Sequence, residues 1–564
     1  MANRERSIRL IGGALLAVAT VATRFPFRAH TLFEFDSINF AVAATRFDLG
    51  EVTPHMPGYI LHVLLGRLLY WILGNANPAY VWLSIILSVG AVLFLWRAAA
   101  QVRGERVAVI AAILWLTTPL FWFHGCVSSA YAEEAFFASA MLYLGLKLLN
   151  WYERPLLFTL LIAFAIAGAA RPNDLLFFLP AIITLLIGLK PSRRDVILAL
   201  TCFAGVSAIW IAELLRESGG LTTYLYYAQH ESNFRTQSLL FGHPWQSALD
   251  TIGKVLFYLP IGMGASLVGL LGVGLVFPTR IAQFVSQYRR NAKAWYVILI
   301  ALPALIFYLF VFFMKAGYLL NVLPSAILIT AVLLDQSAIW LAERVKRRPE
   351  NRMRLTRPII TRNAAWITVG LAAVNCLWFF VSWPGTEQSR YNNENTRNSF
   401  IHGALHRFEE SGKQLGTLAN RAFEYTNISG IRAVDSLNQT TLRALEASGA
   451  GRASAVILAS WWARWCYVLL PDATTFDIES AGHEGHLAVG ISQNLHRENL
   501  ENAIIRFHAY GPVLLLLRHD RPDFAQVNSQ LHLERLPMPE YLDIYRVLDT
   551  AFTLRWQDRT FIRE

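Results

Sequence analysis

Long apolar runs separated by short polar breaks dominate the first two thirds of the chain. Runs that approach the ~20 residues a helix needs to cross a bilayer fall at 8–24, 79–98, 106–123, 133–150, 155–170, 174–190, 195–215, 251–277, 295–314, 318–341 and 363–383, which predicts about eleven membrane-spanning helices. The stretch 57–74 (PGYILHVLLGRLLYWILG) is also apolar, but it carries His62 and Arg67 and opens on Pro-Gly. It reads as a juxtamembrane helix that starts at the interface, with Arg67 snorkelling. After Pro384 the pattern changes. Residues 385–450 are polar with a helical look, and the short runs ASAVILAS, CYVLLP and YGPVLLLLRHD, bounded by Gly, Pro and charges, read as strands. The expected fold is a polytopic α-helical membrane protein over residues 1–383, followed by a soluble α/β domain over 384–564.

Composition points the same way. The chain is 55% hydrophobic and 16% charged, well below the roughly 25% charged residues of soluble domains, and its mean hydropathy is +0.38. A net charge of +11 would suit nucleic acid, but the basic residues sit in short runs between apolar segments. That distribution sets membrane orientation, so no nucleic-acid partner is expected. The first apolar run ends in Arg24 without a small-residue cleavage site and is read as a retained span, not a signal peptide.

With the N-terminus in the cytoplasm, RERSIR, WRAAAQVRGER, NWYERP, KPSRRD, the stretch Arg280 to Lys293 and ERVKRRPENRMRLTRPIITR all fall on the cytoplasmic side, each with Lys or Arg. The loop 25–56, the loop HGCVSSAYAEE (124–134), the turn ARPND (170–174), the loop 216–250 and the turn 315–318 then lie opposite, together with the C-terminal domain. The short loops favour a bacterial inner membrane, with that domain periplasmic. Cys126, Cys202, Cys376 and Cys466 lie too far apart for a disulfide framework or metal spacing, although topology allows a Cys126–Cys466 bridge. HEGH (483–486) reads as a polar loop, since no third metal ligand is placed near it. The sequons at Asn427 and Asn438 matter only in a eukaryotic lumen.

The candidate chemistry gathers on that one face. Asp36 in the first loop is suited to take a proton from an acceptor hydroxyl or to orient it. Glu34, two residues earlier, would face the other way on an extended strand. His55, in His55-Met56-Pro57-Gly58-Tyr59, can bond a phosphate or a sugar hydroxyl, while Pro and Gly there also make a helix-start turn. Tyr131-Ala132-Glu133-Glu134 puts two acids at a helix N-terminus. They complement the helix dipole, and one of them can also bind acceptor, or a divalent cation together with Asp36. Arg171, before Asn173, and Lys315, beside Tyr318, are cations on the side that the positive-inside rule disfavours. An anionic lipid phosphate would give them a reason to be there. His230 and His243 are further candidate contacts.

The stretch FDSINFAVAATRFDLGEVTPHMPGYILHVLLGRL resembles the N-terminal signature D-S-x-E, alanine-rich helix, H-P-P-G-Y-P of a membrane family in the GT-C superfamily, near the protein O-mannosyltransferases and the aminoarabinose transferases of lipid A. The AEE and ARPND segments resemble that superfamily's second acidic loop and arginine turn, so the likeness covers roughly residues 8–190. The signature's glutamate is Asn39 here and its first proline is Met56. The resemblance implies a GT-C-like fold and inverting transfer of a hexosyl or pentosyl group from a polyprenyl-phosphate-linked donor to a hydroxyl of a protein, lipid or glycan. Asp36, with Glu133 or Glu134, is then the catalytic group. Glu34, His55, Tyr59, Tyr131, Arg171, Asn173, Lys315 and Tyr318 bind substrate, and the lipid phosphate is held by Arg171 and Lys315.

Two other functions compete. A transporter or flippase for a lipid-linked or anionic substrate should show ionisable residues or broken helices at mid-span in two related halves. No such halves are visible in the sequence. A non-catalytic scaffold, binding envelope partners through the C-terminal domain, is kept open by Asn39.

Overall fold

The computed structural model describes residues 2–51, 53–230, 255, 257–289, 291–311, 315–346, 357–381, 425–450, 455–459, 463–470, 472–477, 504–517, 522–536, 543–556 and 559–564. The chain forms two compact units. One comprises Met1–His30 with Met56–Arg432, and the other Thr31–His55 with Ala433–Glu564. The expected boundary at 383/384 lies outside the described residues, as do His243 and HEGH; of His230 only the backbone is described.

The first unit is helical. By length and composition, six helical segments among the described residues can cross a membrane: Arg9–Phe27, Ala76–Arg103, Arg193–Glu217, Ala292–Phe310, Leu323–Leu341 and Asn363–Phe380. The pair Phe257–Met263 and Ala265–Val276, bent by 97°, makes a seventh if it is one broken span, and Ile60–Leu73, Arg154–Ala170 and Asn173–Leu189 are shorter apolar helices. Each run expected to span is thus helical in whole or part, but fewer than eleven qualify at full length. Apolar side chains such as Leu15, Ile187, Leu275 and Trp366 point outward, as they do where the solvent is lipid. This is an integral membrane protein.

Local chemistry sets the helix ends. Asn75, Ser192 and Asn291 each cap a helix, accepting from the backbone N–H of Asn77, Asp195, and Lys293 with Ala294 respectively. The expected span 106–123 is not one helix. Glu105–Thr117 stops at Thr118, and Pro119 opens a new helix to His124, because proline lacks an N–H and clashes with the preceding turn. The run 251–277 breaks at Gly264, whose φ is +58°, and the Ala265 N–H freed there is taken by Asn375 Oδ1 at 2.7 Å. Arg67, expected to snorkel, has a carboxylate partner. It donates twice to Glu217, at 2.9 and 2.8 Å, tying Ile60–Leu73 to Arg193–Glu217.

The second unit carries the strands β1 (Val456–Ala459), β2 (Thr474–Asp477), β3 (Ile504–Phe507), β4 (Val513–Leu517), β5 (Leu533–Arg535), β6 (Asp543–Val547), β7 (Phe552–Trp556) and β8 (Arg559–Arg563). Five form a mixed sheet in the order β2-β1-β4-β6-β5, and β3-β8-β7 form a second. β1 runs parallel to β2 and β4, with Leu458 opposite Leu515, so ASAVILAS and YGPVLLLLRHD hold strands as expected. CYVLLP does not. Cys466 to Leu469 belong to the helix Ala463–Leu469, where the Leu470 N–H donates to Cys466 O at 2.8 Å. So short an apolar run does not tell strand from helix by its pattern.

Both sequon asparagines are buried. Asn427 Nδ2 donates to Trp378 O and Val381 O, and Asn438 Nδ2 to Thr31 Oγ1 and Leu32 O.

Candidate functional site

The acidic first loop is built within the second unit. The Thr31 N–H and hydroxyl both donate to Asp435 Oδ1 at 2.8 Å, and Asn438 and Trp465 donate to Leu32 O. The chain then turns into the helix Phe35–Thr45, not an extended strand. Glu34 is its N-cap, in a reciprocal capping box with Ser37, whose Oγ accepts the Glu34 N–H at 3.4 Å. Asp36 lies in the first turn, where a carboxylate is favoured by the free N–H groups. Ser37 to Ala44 are buried, including Asn39 where the resembled signature has glutamate. The chain returns through an Asp48–Thr53 bridge closed at 2.7 and 2.9 Å. That return brings His55 Nδ1 to 3.9 Å from Asp36 Oδ1, with both side chains 17% exposed. Asp36 and His55, nineteen positions apart, therefore form a pair within this unit.

The other candidates lie in the helical unit. Tyr59 sits at φ +43° after Gly58 at +101° and caps Ile60–Leu73. Tyr131, Glu133 and Glu134 open the helix Tyr131–Asn150. Glu133 Oε1 is 3.0 Å from His62 Nδ1, and the His62 ring stacks on Tyr80 at 4.9 Å. Glu134 is ion-paired with Arg171, which caps Arg154–Ala170. The Arg171 guanidinium lies 4.4 Å over the Tyr318 ring and 5.8 Å from those of Tyr59 and Tyr308. Tyr308 and Tyr318 stack at 4.6 Å, and Tyr131 meets Tyr318 edge-on at 5.5 Å. Gly317 lets this happen, because a Cβ there would overlap the Tyr131 ring. Lys315 caps the 3-10 turn Ala316–Asn321 and, like Asn173, is half-buried.

Tyr59, Tyr131, Glu134, Arg171 and Tyr318 are thus brought together in one aromatic-lined ionic cluster. Four members of this region were not singled out from the sequence: His62, Asp174, Tyr308 and Asn321. Asn321 Nδ2 donates to Asp174 Oδ1 at 2.9 Å, and the Asp174 N–H donates to Arg171 O at 2.9 Å. His62 carried a signal, an ionisable group in an apolar helix. Tyr308 and Asn321 carried none, being polar residues inside apolar runs. Both acids of the pair are engaged by a side chain of their own unit. Among the described residues no three His, Cys, Asp or Glu side chains gather as a metal-holding group.

No protein-family model matches the chain, and no curated protein does. Among solved structures it is similar to ArnT from Cupriavidus metallidurans bound to undecaprenyl phosphate, with 11% identity and a TM-score of 0.56 over 97% of this chain and 98% of that one. The apo state of ArnT gives 12% and 0.55 over the same shares. The apo oligosaccharyltransferase of Archaeoglobus fulgidus gives 14% and 0.44 over 82% and 64%. At such identities the ArnT likeness is one of fold, and it runs the length of both chains: the GT-C-like membrane architecture with a C-terminal region of strands.

Proposed function

We propose that this chain is a membrane glycosyltransferase that moves a sugar from a polyprenyl-phosphate donor to an acceptor hydroxyl, with inversion, on the extracytoplasmic face of a bacterial inner membrane. The observation that carries this reading is the half-buried Asp36–His55 pair. Glu133 and Glu134 are each paired closely with a cationic or imidazole side chain, His62 and Arg171, whereas Asp36 meets His55 only at 3.9 Å and is 17% exposed, which suits it to take a proton. The donor class is supported by the full-length likeness to ArnT bound to undecaprenyl phosphate.

In this mechanism the acceptor hydroxyl oxygen bonds to the anomeric carbon as the bond from that carbon to the phosphate oxygen breaks. Asp36 accepts the hydroxyl proton, with His55 holding the carboxylate in place. The polyprenyl phosphate leaves with the bonding electrons. Within the helical unit Arg171 and Lys315 are the residues suited to bind such a lipid phosphate. Glu133 and Glu134 serve as charge partners of His62 and Arg171. The transporter reading finds a broken helix at Gly264, but there the freed Ala265 N–H is taken by Asn375 Oδ1.

The test is transfer of radiolabelled sugar from a polyprenyl-phosphate donor pool into membranes. Asp36→Asn should lower transfer by about 10²–10⁴-fold at unchanged protein level. Unchanged transfer would remove Asp36 from the chemistry.

A further inference from the structure

Arg171 and four side chains around it, Glu134, Asp174, Tyr308 and Asn321, are at most 4% exposed. Each keeps one polar atom without a hydrogen-bond partner among the described residues, namely Glu134 Oε2, Arg171 Nε, Asp174 Oδ2, Tyr308 OH and Asn321 Oδ1. They form one cluster. Arg171 pairs with Glu134, its carbonyl accepts from Asp174, Asp174 accepts from Asn321, and Tyr308 stacks on the tyrosine that lies against Arg171.

A buried polar atom left unpaired is costly, and native interiors hold few of them. The Arg67–Glu217 pair of the same unit satisfies both carboxylate oxygens with two guanidinium nitrogens, whereas Arg171–Glu134 leaves one of each spare. The spare atoms are of two kinds. Arg171 Nε donates and the Tyr308 hydroxyl can donate, which suits an anion. Glu134 Oε2, Asp174 Oδ2 and Asn321 Oδ1 accept, which suits hydroxyl groups. A guest that brings acceptors at one end and several hydroxyls beside them is a sugar phosphate.

We propose that Asp174 and Asn321, with Glu134, form the subsite that reads the hydroxyls of the donor sugar next to the phosphate held by Arg171. This rests on the glycosyltransferase reading and adds two residues to it. Asn321 ends the 3-10 turn that carries Tyr318, and Asp174 lies in the first turn of the helix after Arg171, so the subsite adjoins the phosphate-binding arginine.

The experiment compares binding of farnesyl phosphate with farnesyl-phosphate-linked glucose, mannose and xylose to the purified full-length protein in detergent. At least one sugar-bearing lipid should bind about tenfold more tightly than farnesyl phosphate, the gain expected from one or two well-made buried hydrogen bonds. Asn321→Leu and, separately, Asp174→Asn should erase that preference while leaving farnesyl phosphate affinity within about twofold, which also shows that each variant is folded. A wild type with no preference across the panel overturns the proposal. So does a variant that keeps the preference, which would make the cluster a site for ordered water only. Failure of the wild type to bind any of these lipids would sink the donor reading itself, and this proposal with it.

Discussion

Arg171 and Glu134 meet as an ion pair inside the helical unit, both nearly fully buried, and neither can be removed without leaving the other charge stranded. Breaking a buried pair by deleting one partner costs about 3–5 kcal/mol. Glu134→Ala and Arg171→Ala should therefore each lower the thermal midpoint of the purified protein markedly. The double variant should fall by clearly less than the sum. Additive losses would show that the two charges are not coupled.

Arg67 and Glu217 make the other cross-helix pair, through two short hydrogen bonds. Lysine offers a point charge and no planar fork. Arg67→Lys should recover only part of the stability lost in Arg67→Met, read by unfolding in detergent. Full recovery would mean that the charge alone matters.

Gly317 lies against the face of Tyr131, and an added Cβ has no room there. Gly317→Ala should cost about 1–3 kcal/mol through overpacking and should reduce sugar transfer, because Tyr131 must leave its edge-on contact with Tyr318. Gly74→Ala, where nothing lies near the added carbon, is the control for transfer; its positive φ affects stability only.

Burial pushes the Cys126 thiol up to about 12 and holds that of Cys466 well above the usual range. The thiolate is the reacting form, so at pH 7.5 neither cysteine should react with N-ethylmaleimide until denaturant is added. Rapid labelling of either one, located by peptide mass, would contradict the packing around it.

In the second unit Asp549 accepts from the backbone N–H and the ring of His532, and these bonds hold its carboxyl below the ordinary value. A depressed carboxyl stabilises the fold above its unfolded value of about 3.9 and loses that contribution as pH falls through the lower folded value. Asp549→Asn should therefore lower stability at neutral pH and flatten its decline below about pH 4. An acid transition identical to wild type, followed by amide exchange at β7 and β8, would exclude the contribution.

The sequence showed the helices because long apolar runs stand out from polar breaks, although fewer of them than expected are unbroken over a bilayer's thickness. It showed Asp36, His55, Glu134 and Arg171 as candidates because charged residues are conspicuous beside such runs. It did not show who meets whom. The capping role of Glu34 was hidden because Ser37 completes the box where a Glu or Gln is the usual partner. The stop at Thr118 was signalled by Pro119, but the apolar run on both sides masked it. His62, Asp174 and Asn321 become meaningful only when helices distant in sequence bring them to Glu133 and to each other.

The tie between Thr31 and Asp435 spans 404 positions. At about 5–20 residues per second of synthesis, the segment that holds Asp36 emerges long before the strands and helices of its own unit exist. It must wait on the order of tens of seconds, bracketed by helices already entering the bilayer, before Asp435, Asn438 and Trp465 arrive to fix Thr31 and Leu32. The segment that carries Asp36 and His55 is therefore anchored late. A ribosome that stops before Asp435 leaves a membrane-inserted chain in which the Asp36 segment still lacks its anchor at Thr31.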